Sequence, residues 1–267
     1  MPNIAITGAT GRMGRTLVQL VHQAEDLTLA GATDRPDSPS LGQDVGVLCG
    51  LGETGVMVQS DLSALNDIDI VIDFTLPAAT EAHLQICRNR GFGLVIGTTG
   101  LTETQKTQVN AAGQEIPIVF APNMSVGVNV LTQLVEQAAQ ILGDDYDVEI
   151  VEMHHRHKVD APSGTALALG EAAARGLQRN LKDCAIYGRE GAEGPRKTDT
   201  IGFATLRGGD VVGDHTVIYA GDGERIEIGH KASSRNTFAR GALRAARWLS
   251  GRPAGRYTMR DVLGLQK

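Results

Sequence analysis

The stretch NIAITGATGRMG, residues 3–14, decides how the first half of the chain is read. NIAIT (3–7) reads as a short buried strand, and the glycine-rich turn 8–14 follows it. RTLVQLVHQA (15–24) then has helical spacing, with Leu17, Leu20 and Val21 on one face. Gly8, Gly11 and Gly14 make G-x-x-G-x-x-G between strand and helix. A turn without Cβ atoms lets the backbone approach a pyrophosphate, and the helix N-terminus adds N–H groups and a favourable dipole. The spacing departs from G-x-G-x-x-G, because Ala9 and Thr10 separate the first two glycines. Its context carries it: this is the first strand–helix unit, and an acidic residue closes the second strand, Leu27 to Thr33. That residue, Asp34, is placed to accept hydrogen bonds from an adenosine ribose. Arg35 beside it and Arg12 in the turn could each face a 2′-phosphate. An acid next to a base predicts tolerance of both NADH and NADPH. The competing reading is a structural turn with a solvated Asp-Arg pair. The short-chain dehydrogenase pattern fails: it needs glycine at Arg12, and no lysine stands four positions after any tyrosine.

Further along, DIDIVIDFT (67–75) is too densely apolar for a half-exposed strand and reads as buried on both faces, as in a parallel sheet. Residues 36–55, rich in Pro, Ser and Gly, read as loop. Pro77 starts a helix to about Arg90. GLVIGTTG (93–100) is a strand ending in a glycine turn, Thr102 to about Gly113 is helical, and IPIVFAP (116–122) is a strand. Strands alternating with helices predict a doubly wound parallel sheet. After Asn123 the rhythm changes. Ser125 can cap a longer helix to about Leu142; DVEIVEMHH (147–155) is a strand, and Ser163 to Gln178 is helical. A polar loop spans about 188–200. IGFATLRG, VVGDHTVIYAG and GERIEIGHKA then follow as successive strands, and Asn236 to Leu249 is an amphipathic helix. The expected class is α/β: an N-terminal Rossmann-type doubly wound parallel sheet plus a C-terminal α+β domain with a mixed sheet. The boundaries fall at 1–125 with 235–267 for the dinucleotide-binding domain, and 126–234 for a substrate domain.

Length and composition narrow the class. A chain of 267 residues, 42% hydrophobic and 21% charged, can bury a sizeable core. A net charge of -6 argues against a general nucleic-acid binder. Cys49, Cys87 and Cys184 are widely spaced and odd in number, which fits a reducing compartment. No apolar run reaches the ~18 residues of a membrane span. A cytoplasmic protein with neither a membrane nor a nucleic-acid partner is expected.

Against that acidic background, EMHHRHKVDAPSGTA (152–166) gathers His154, His155, Arg156, His157 and Lys158. A metal site is one reading, but adjacent side chains on a strand point to opposite faces, and no H-E-x-x-H or thiolate set is present. No metal is expected. A solvated basic turn without a role is the second. The third is an anion-binding and proton-transfer site. Cations would hold substrate carboxylates, while Ser163, Gly164 and Thr165 open a helix whose N–H groups and hydroxyls can hold another. Histidine titrates near neutrality and can give a proton in a transition state. The segment reads as a cradle for a small dicarboxylic acid beside a general acid.

These residues also carry a resemblance. E-x-HHRHK-x-DAPSGTA resembles the signature of the 4-hydroxy-tetrahydrodipicolinate reductase (dihydrodipicolinate reductase) family, which acts on the diaminopimelate route to lysine. GATGRMG (8–14) is similar to that family's cofactor turn. DFT (73–75), GTTG (97–100) and APNMSVGVN (121–129) are similar to its nicotinamide-side loops, and RGGDVVGDHTV (207–217) and ASSRNTFARGA (232–242) to its C-terminal segments. Asp34 stands where relatives often carry glutamate.

The resemblance implies reduction of 4-hydroxy-tetrahydrodipicolinate to tetrahydrodipicolinate by NADH or NADPH. His154 matches the family's proton donor and acceptor, and Lys158 its second proton donor; which of them gives the proton stays open. His155, Gly164 and Thr165 match the carboxylate contacts, with Ser163 beside them. Gly8, Ala9, Thr10, Gly11, Arg12, Met13, Asp34 and Arg35 fall on the cofactor turn and its ribose end. Gly97, Thr98 and Thr99, and Ala121, Pro122, Asn123 and Met124, follow parallel strands, where ligands bind. The family architecture implies a homotetramer built through the C-terminal sheets, and domain closure before chemistry. Two rivals remain: a related dehydrogenase, such as one of amino-acid semialdehydes or of aspartate, and a regulator that binds NAD(H) without turnover.

Overall fold

In the computed structural model, residues 1–192, 194–234 and 236–265 are described. Arg235, Gln266 and Lys267, at the expected domain limits, and Glu193 in the 188–200 loop lie outside the described residues.

The apolar runs of the first half become strands β1 (Asn3–Thr7), β2 (Thr28–Thr33), β3 (Val58–Gln59), β4 (Ile70–Asp73), β5 (Gly93–Ile96) and β6 (Pro117–Phe120). The second half supplies β7 (Asp147–His154), β8 (Ala185–Ile186), β9 (Ile201–Arg207), β10 (Gly213–Gly221) and β11 (Glu224–Ala232), and β12 (Gly255–Tyr257) lies near the end. The helices are α1 (Arg12–His22), α2 (Val45–Leu48), α3 (Pro77–Arg90), α4 (Glu103–Ala112), α5 (Val126–Leu142), α6 (Gly164–Gly176), α7 (Leu181–Cys184), α8 (Asn236–Leu249) and α9 (Met259–Leu263). None is long and apolar enough to cross a membrane among the described residues.

Two compact units result, Met1–Val126 with Asn236–Lys267, and Gly127–Arg235. The first holds a seven-stranded sheet in the order β12-β6-β5-β4-β1-β2-β3, every pair parallel. Every residue of β4 and β5 is buried, because helices cover both faces of such a sheet. The second holds a five-stranded mixed sheet, β11-β10-β7-β9-β8: β10 runs antiparallel to β11 and β7, and β9 parallel to β7 and β8.

Local chemistry sets the helix ends. Pro77 occupies the first turn of α3, and Gly91, at φ 72°, closes it. Thr102 and Gln105 form a capping box on α4. Two features differ from expectation. Helix α1 starts at Arg12, so Gly14 belongs to its first turn. Within the expected loop 36–55, Asp44 caps α2 by accepting from the N–H of Gly46 at 2.8 Å, and it also takes the Thr54 and Gly55 N–H groups. One turn of helix held by a cap carries no periodicity to read.

In α8 the alanine-rich face, with Ala239, Ala242, Ala245 and Ala246, enters the core of the first unit. Gly241 lies so close to the Met124 carbonyl that a Cβ would overlap it. Overpacking of this kind costs about 1–3 kcal/mol. Gly241→Ala is therefore expected to lower the thermal midpoint of the purified protein, followed by circular dichroism; an unchanged midpoint would show that α8 shifts freely.

Candidate active site

In the first unit the glycine turn is built by contacts that leave no room for side chains. Gly8 sits at φ 60°, where an L side chain is strained, and a Cβ on Gly14 would overlap the Gly8 carbonyl. Gly11 caps α1 without a side-chain hydrogen bond, so nothing of the chain's own covers that helix end from the cap position. Gly8, Thr10, Gly11, Asp34, Arg35 and Thr75 help to line a cleft of ≈ 800 Å³. An uncapped glycine end of a helix beside such a cleft fits a dinucleotide pyrophosphate. The Asp34 carboxylate accepts the Thr10 N–H at 3.1 Å, the Thr10 hydroxyl, and the Arg35 N–H at 2.8 Å. With four lone-pair sites on a carboxylate, one remains for a ribose hydroxyl. The Arg35 side chain is exposed and pairs only loosely with Asp37, at 3.3 Å, so it can turn to a 2′-phosphate at little cost.

The neighbouring loops are organised by Asp73, which is 0% exposed. Its carboxylate takes the hydroxyls of Thr7 at 3.1 Å and Thr75 at 2.6 Å, and His83 Nδ1 at 3.1 Å. Burial pushes its pKa up; the His83 and threonine contacts outweigh that and hold it below the usual carboxylate range. Thr98 Oγ1 accepts the Thr75 N–H and the Thr80 hydroxyl, each at 2.9 Å, which ties the GTTG and DFT loops together. Among the other candidates, Ala9, Gly97, Ala121 and Met124 are buried. Met13 is half-buried against the core, Asn123 is half-buried, and Arg12, Thr99 and Pro122 are exposed. The 97–99 and 121–124 loops follow β5 and β6 and do not line this cleft. Cys87 is fully buried in α3, and burial first, then the Asp73 charge, pushes its thiol up. It is no nucleophile.

In the second unit, β7 alternates, so Glu152 and His154 share its inner face; they are 1% and 8% exposed. One Glu152 oxygen accepts His154 Nδ1 at 2.6 Å and Arg207 Nη1 at 2.8 Å. The other accepts the Ser163 N–H and Arg207 Nη2, each at 3.0 Å. Burial pushes this carboxyl up; Arg207, His154 and the Ser163 N–H more than offset it, so it sits below its ordinary range and is ionised near neutral pH. Ser163 caps α6: its Oγ accepts the Ala166 N–H at 3.1 Å and meets His215 Nε2 at 2.9 Å. The His215 ring stands edge-on to His154, centroids 5.1 Å apart. Burial, and then the His154 charge, push His215 down to about 4, so it is neutral near neutral pH.

The basic loop is pinned at its backbone. The His155 N–H donates to Val211 O at 2.7 Å and the Arg156 N–H to Gly209 O at 3.2 Å. Lys158 Nζ contacts both Asp160 oxygens, at 2.7 and 2.8 Å. His155 is half-buried, Arg156 and His157 are exposed, and at the start of α6 Gly164 is exposed and Thr165 half-buried. The sequence reading missed Glu152, Arg207 and His215 as site residues. The two-residue step from Glu152 to His154 was a usable signal. The strand pairings that bring Arg207 opposite His154, and His215 opposite Glu152, were not visible. No group of three or more metal-ligating side chains occurs among the described residues.

A parallel-sheet unit whose glycine turn borders a cleft, and a mixed-sheet unit with a buried histidine–carboxylate pair, suit an oxidoreductase that draws on a nicotinamide dinucleotide. The family models make this specific: that for the N-terminus of dihydrodipicolinate reductase matches residues 2–124, and that for its C-terminus residues 127–263. The chain belongs to the dihydrodipicolinate reductase family, NAD(P)H-dependent reductases of lysine and diaminopimelate biosynthesis, and its N-terminal domain is the nucleotide-binding one. It is 60% identical over 263 residues to 4-hydroxy-tetrahydrodipicolinate reductase of Alkalilimnicola ehrlichii, covering 98% of both chains. To the Acinetobacter baumannii enzyme of the same name it is 56% identical over 265 residues, 99% of this chain and 97% of that one. Its fold is like that of a dipicolinate-bound dihydrodipicolinate reductase from Paenisporosarcina sp. TG-14, with TM-score 0.77 at 24% identity over 97% of each chain.

The Asp34 geometry gives a test on the cofactor side. Asp34→Ala should weaken NADH by about tenfold, ~1.4 kcal/mol, and NADPH by less, as titrated by nicotinamide fluorescence. Equal losses would remove Asp34 as the ribose contact.

Proposed function

We propose that this chain reduces 4-hydroxy-tetrahydrodipicolinate to tetrahydrodipicolinate, adding a hydride and a proton and releasing water. The observation that carries the reading is His154, nearly buried at the end of β7 and hydrogen-bonded through Nδ1 to an ionised carboxylate. NADH or NADPH, when bound, supplies the hydride. The residues proposed to hold it are Gly8 to Met13, Asp34 and Arg35, with the loops Gly97 to Thr99 and Ala121 to Met124.

His154 is the proposed proton donor. One observation favours it over Lys158: its ring is buried and oriented by Glu152, whereas Lys158 is held only by an exposed acid. Lys158 then acts through its charge, stabilising the negative charge that develops as hydride arrives. The substrate is a dicarboxylate. Gly164 and Thr165 at the open end of α6, with Ser163 and His155 beside them, are the proposed carboxylate contacts. The assignment of residues 1–125 with 235–267 to the cofactor and 126–234 to substrate and self-assembly, a homotetramer, and a cytoplasmic setting are parts of the same proposal.

The test is a coupled assay in which an aldolase makes the substrate from pyruvate and aspartate semialdehyde while loss of NADH or NADPH absorbance is followed. Oxidation that depends on this chain supports the reading. None, with NADH binding intact, would leave the related dehydrogenase or the regulator. In the same assay His154→Gln should lower kcat by about 10²–10⁴, with NADH affinity little changed. A rate near wild type would move the donor role elsewhere.

A further inference from the structure

The Glu152 carboxylate accepts four hydrogen bonds, two on each oxygen: His154 Nδ1 and Arg207 Nη1 on one, the Ser163 N–H and Arg207 Nη2 on the other. All four partners approach with hydrogens. Arg207 has donors only, the Ser163 amide is a donor, and an ionised carboxylate has no hydrogen to offer His154. The ring must therefore carry its hydrogen on Nδ1. That leaves Nε2 as the nitrogen that takes up and gives away the second proton. Gly213 packs beside Nε2, where a Cβ would lie only 3.0 Å away, so a side chain at that position would crowd this nitrogen.

We infer that Glu152 is a positioning residue for the proton transfer: it fixes His154 as the Nδ1–H tautomer, so that Nε2 faces the substrate, and through the Ser163 N–H it locks the same ring to the helix end that receives the substrate carboxylate. This rests on the reading of His154 as the donor. The charged ring loses the proton on Nε2 to the substrate and returns to neutral imidazole, with Nδ1–H still on Glu152. Arg207 keeps the carboxylate ionised and, by donating to the Asp160 carbonyl at 2.7 Å, steadies the loop that carries Lys158. The groups that face this pair are Arg207 on β9, His215 on β10, the Ser163 amide before α6, and Lys158 with Asp160 on the loop. His215 adds no charge near neutral pH.

An amide in place of the carboxylate clashes with donors on either side, but with fewer when its NH₂ faces His154. An NH₂ toward Ser163 would meet its N–H and Arg207 Nη2. An NH₂ toward His154 would meet Arg207 Nη1 and would donate to Nδ1, which forces the hydrogen of the neutral ring onto Nε2.

The experiment uses the full-length protein labelled with ¹⁵N-histidine, with ring nitrogen shifts read across neutral pH and the His154 signals assigned by their loss in His154→Gln. Wild type should show neutral His154 as the Nδ1–H form. Glu152→Gln should show the Nε2–H form and a kcat lower by about 10²–10³, with NADH affinity unchanged. Glu152→Asp, which keeps the charge, should restore the Nδ1–H form and about a tenth or more of the lost rate. A wild-type spectrum with neutral His154 as Nε2–H overturns the inference even if Glu152→Gln does not fold. So does a folded Glu152→Gln protein with undiminished kcat. An undiminished rate in His154→Gln would instead refute the donor role itself, while the tautomer measurement would still show whether Glu152 sets the ring.

Discussion

The constraint on which both units turn is the cost of an ionised carboxylate withdrawn from water. An unpaired buried charge is disfavoured by several kcal/mol, so every polar group within reach is recruited to it. Asp73 at the end of β4 and Glu152 near the end of β7 are 0% and 1% exposed. Each lies where a strand gives way to a loop. Around Asp73 the recruits are Thr7, Thr75 and His83, and through Thr98 the GTTG loop is drawn in. Around Glu152 they are His154, Arg207 and the Ser163 amide. Loops that would otherwise be set only by their own turns are thereby fixed by the most demanding acceptor nearby.

This also explains what was legible beforehand. The parallel sheet of the first unit could be read because strands buried on both faces leave unbroken apolar runs, as IVID and GLVI do. The Gly8–Gly14 turn could be read because close approach excludes every residue but glycine. By contrast β3, β8 and β12 have two or three residues each and no room for a period. The site divides in the same way. His154, Lys158 and Ser163 to Thr165 stand in one continuous string. Arg207 and His215 reach Glu152 through the pairings of β9 and β10 with β7, and such pairing between distant segments is specified by tertiary packing, which leaves no local mark.

Charge in the basic segment has a similar explanation. Five residues that are or can become cationic stand in a row, yet they differ in what the fold does with them. His154 is turned inward and wired to Glu152; Arg156 and His157 are left in solvent, where a charge needs no partner; Lys158 is held by Asp160. The apparent cluster is thus a strand end followed by a turn, and the alternation of the strand separates the one buried ring from its neighbours.

The Lys158–Asp160 pair has a consequence for binding. Asp160 is more than half exposed, with 57% of its side chain open, so the pair is worth about 0–1 kcal/mol after solvent screening. A cation held that weakly can change partners, because leaving Asp160 returns that carboxylate to water, where it is readily solvated. The contrast with Glu152 is one of solvent. A buried carboxylate resists exchange and therefore fixes geometry, whereas an exposed one yields and serves as a placeholder. The two acids, eight residues apart on either side of His154 and Lys158, hold their partners differently: the buried one fixes a ring, and the exposed one holds a charge that solvent can share.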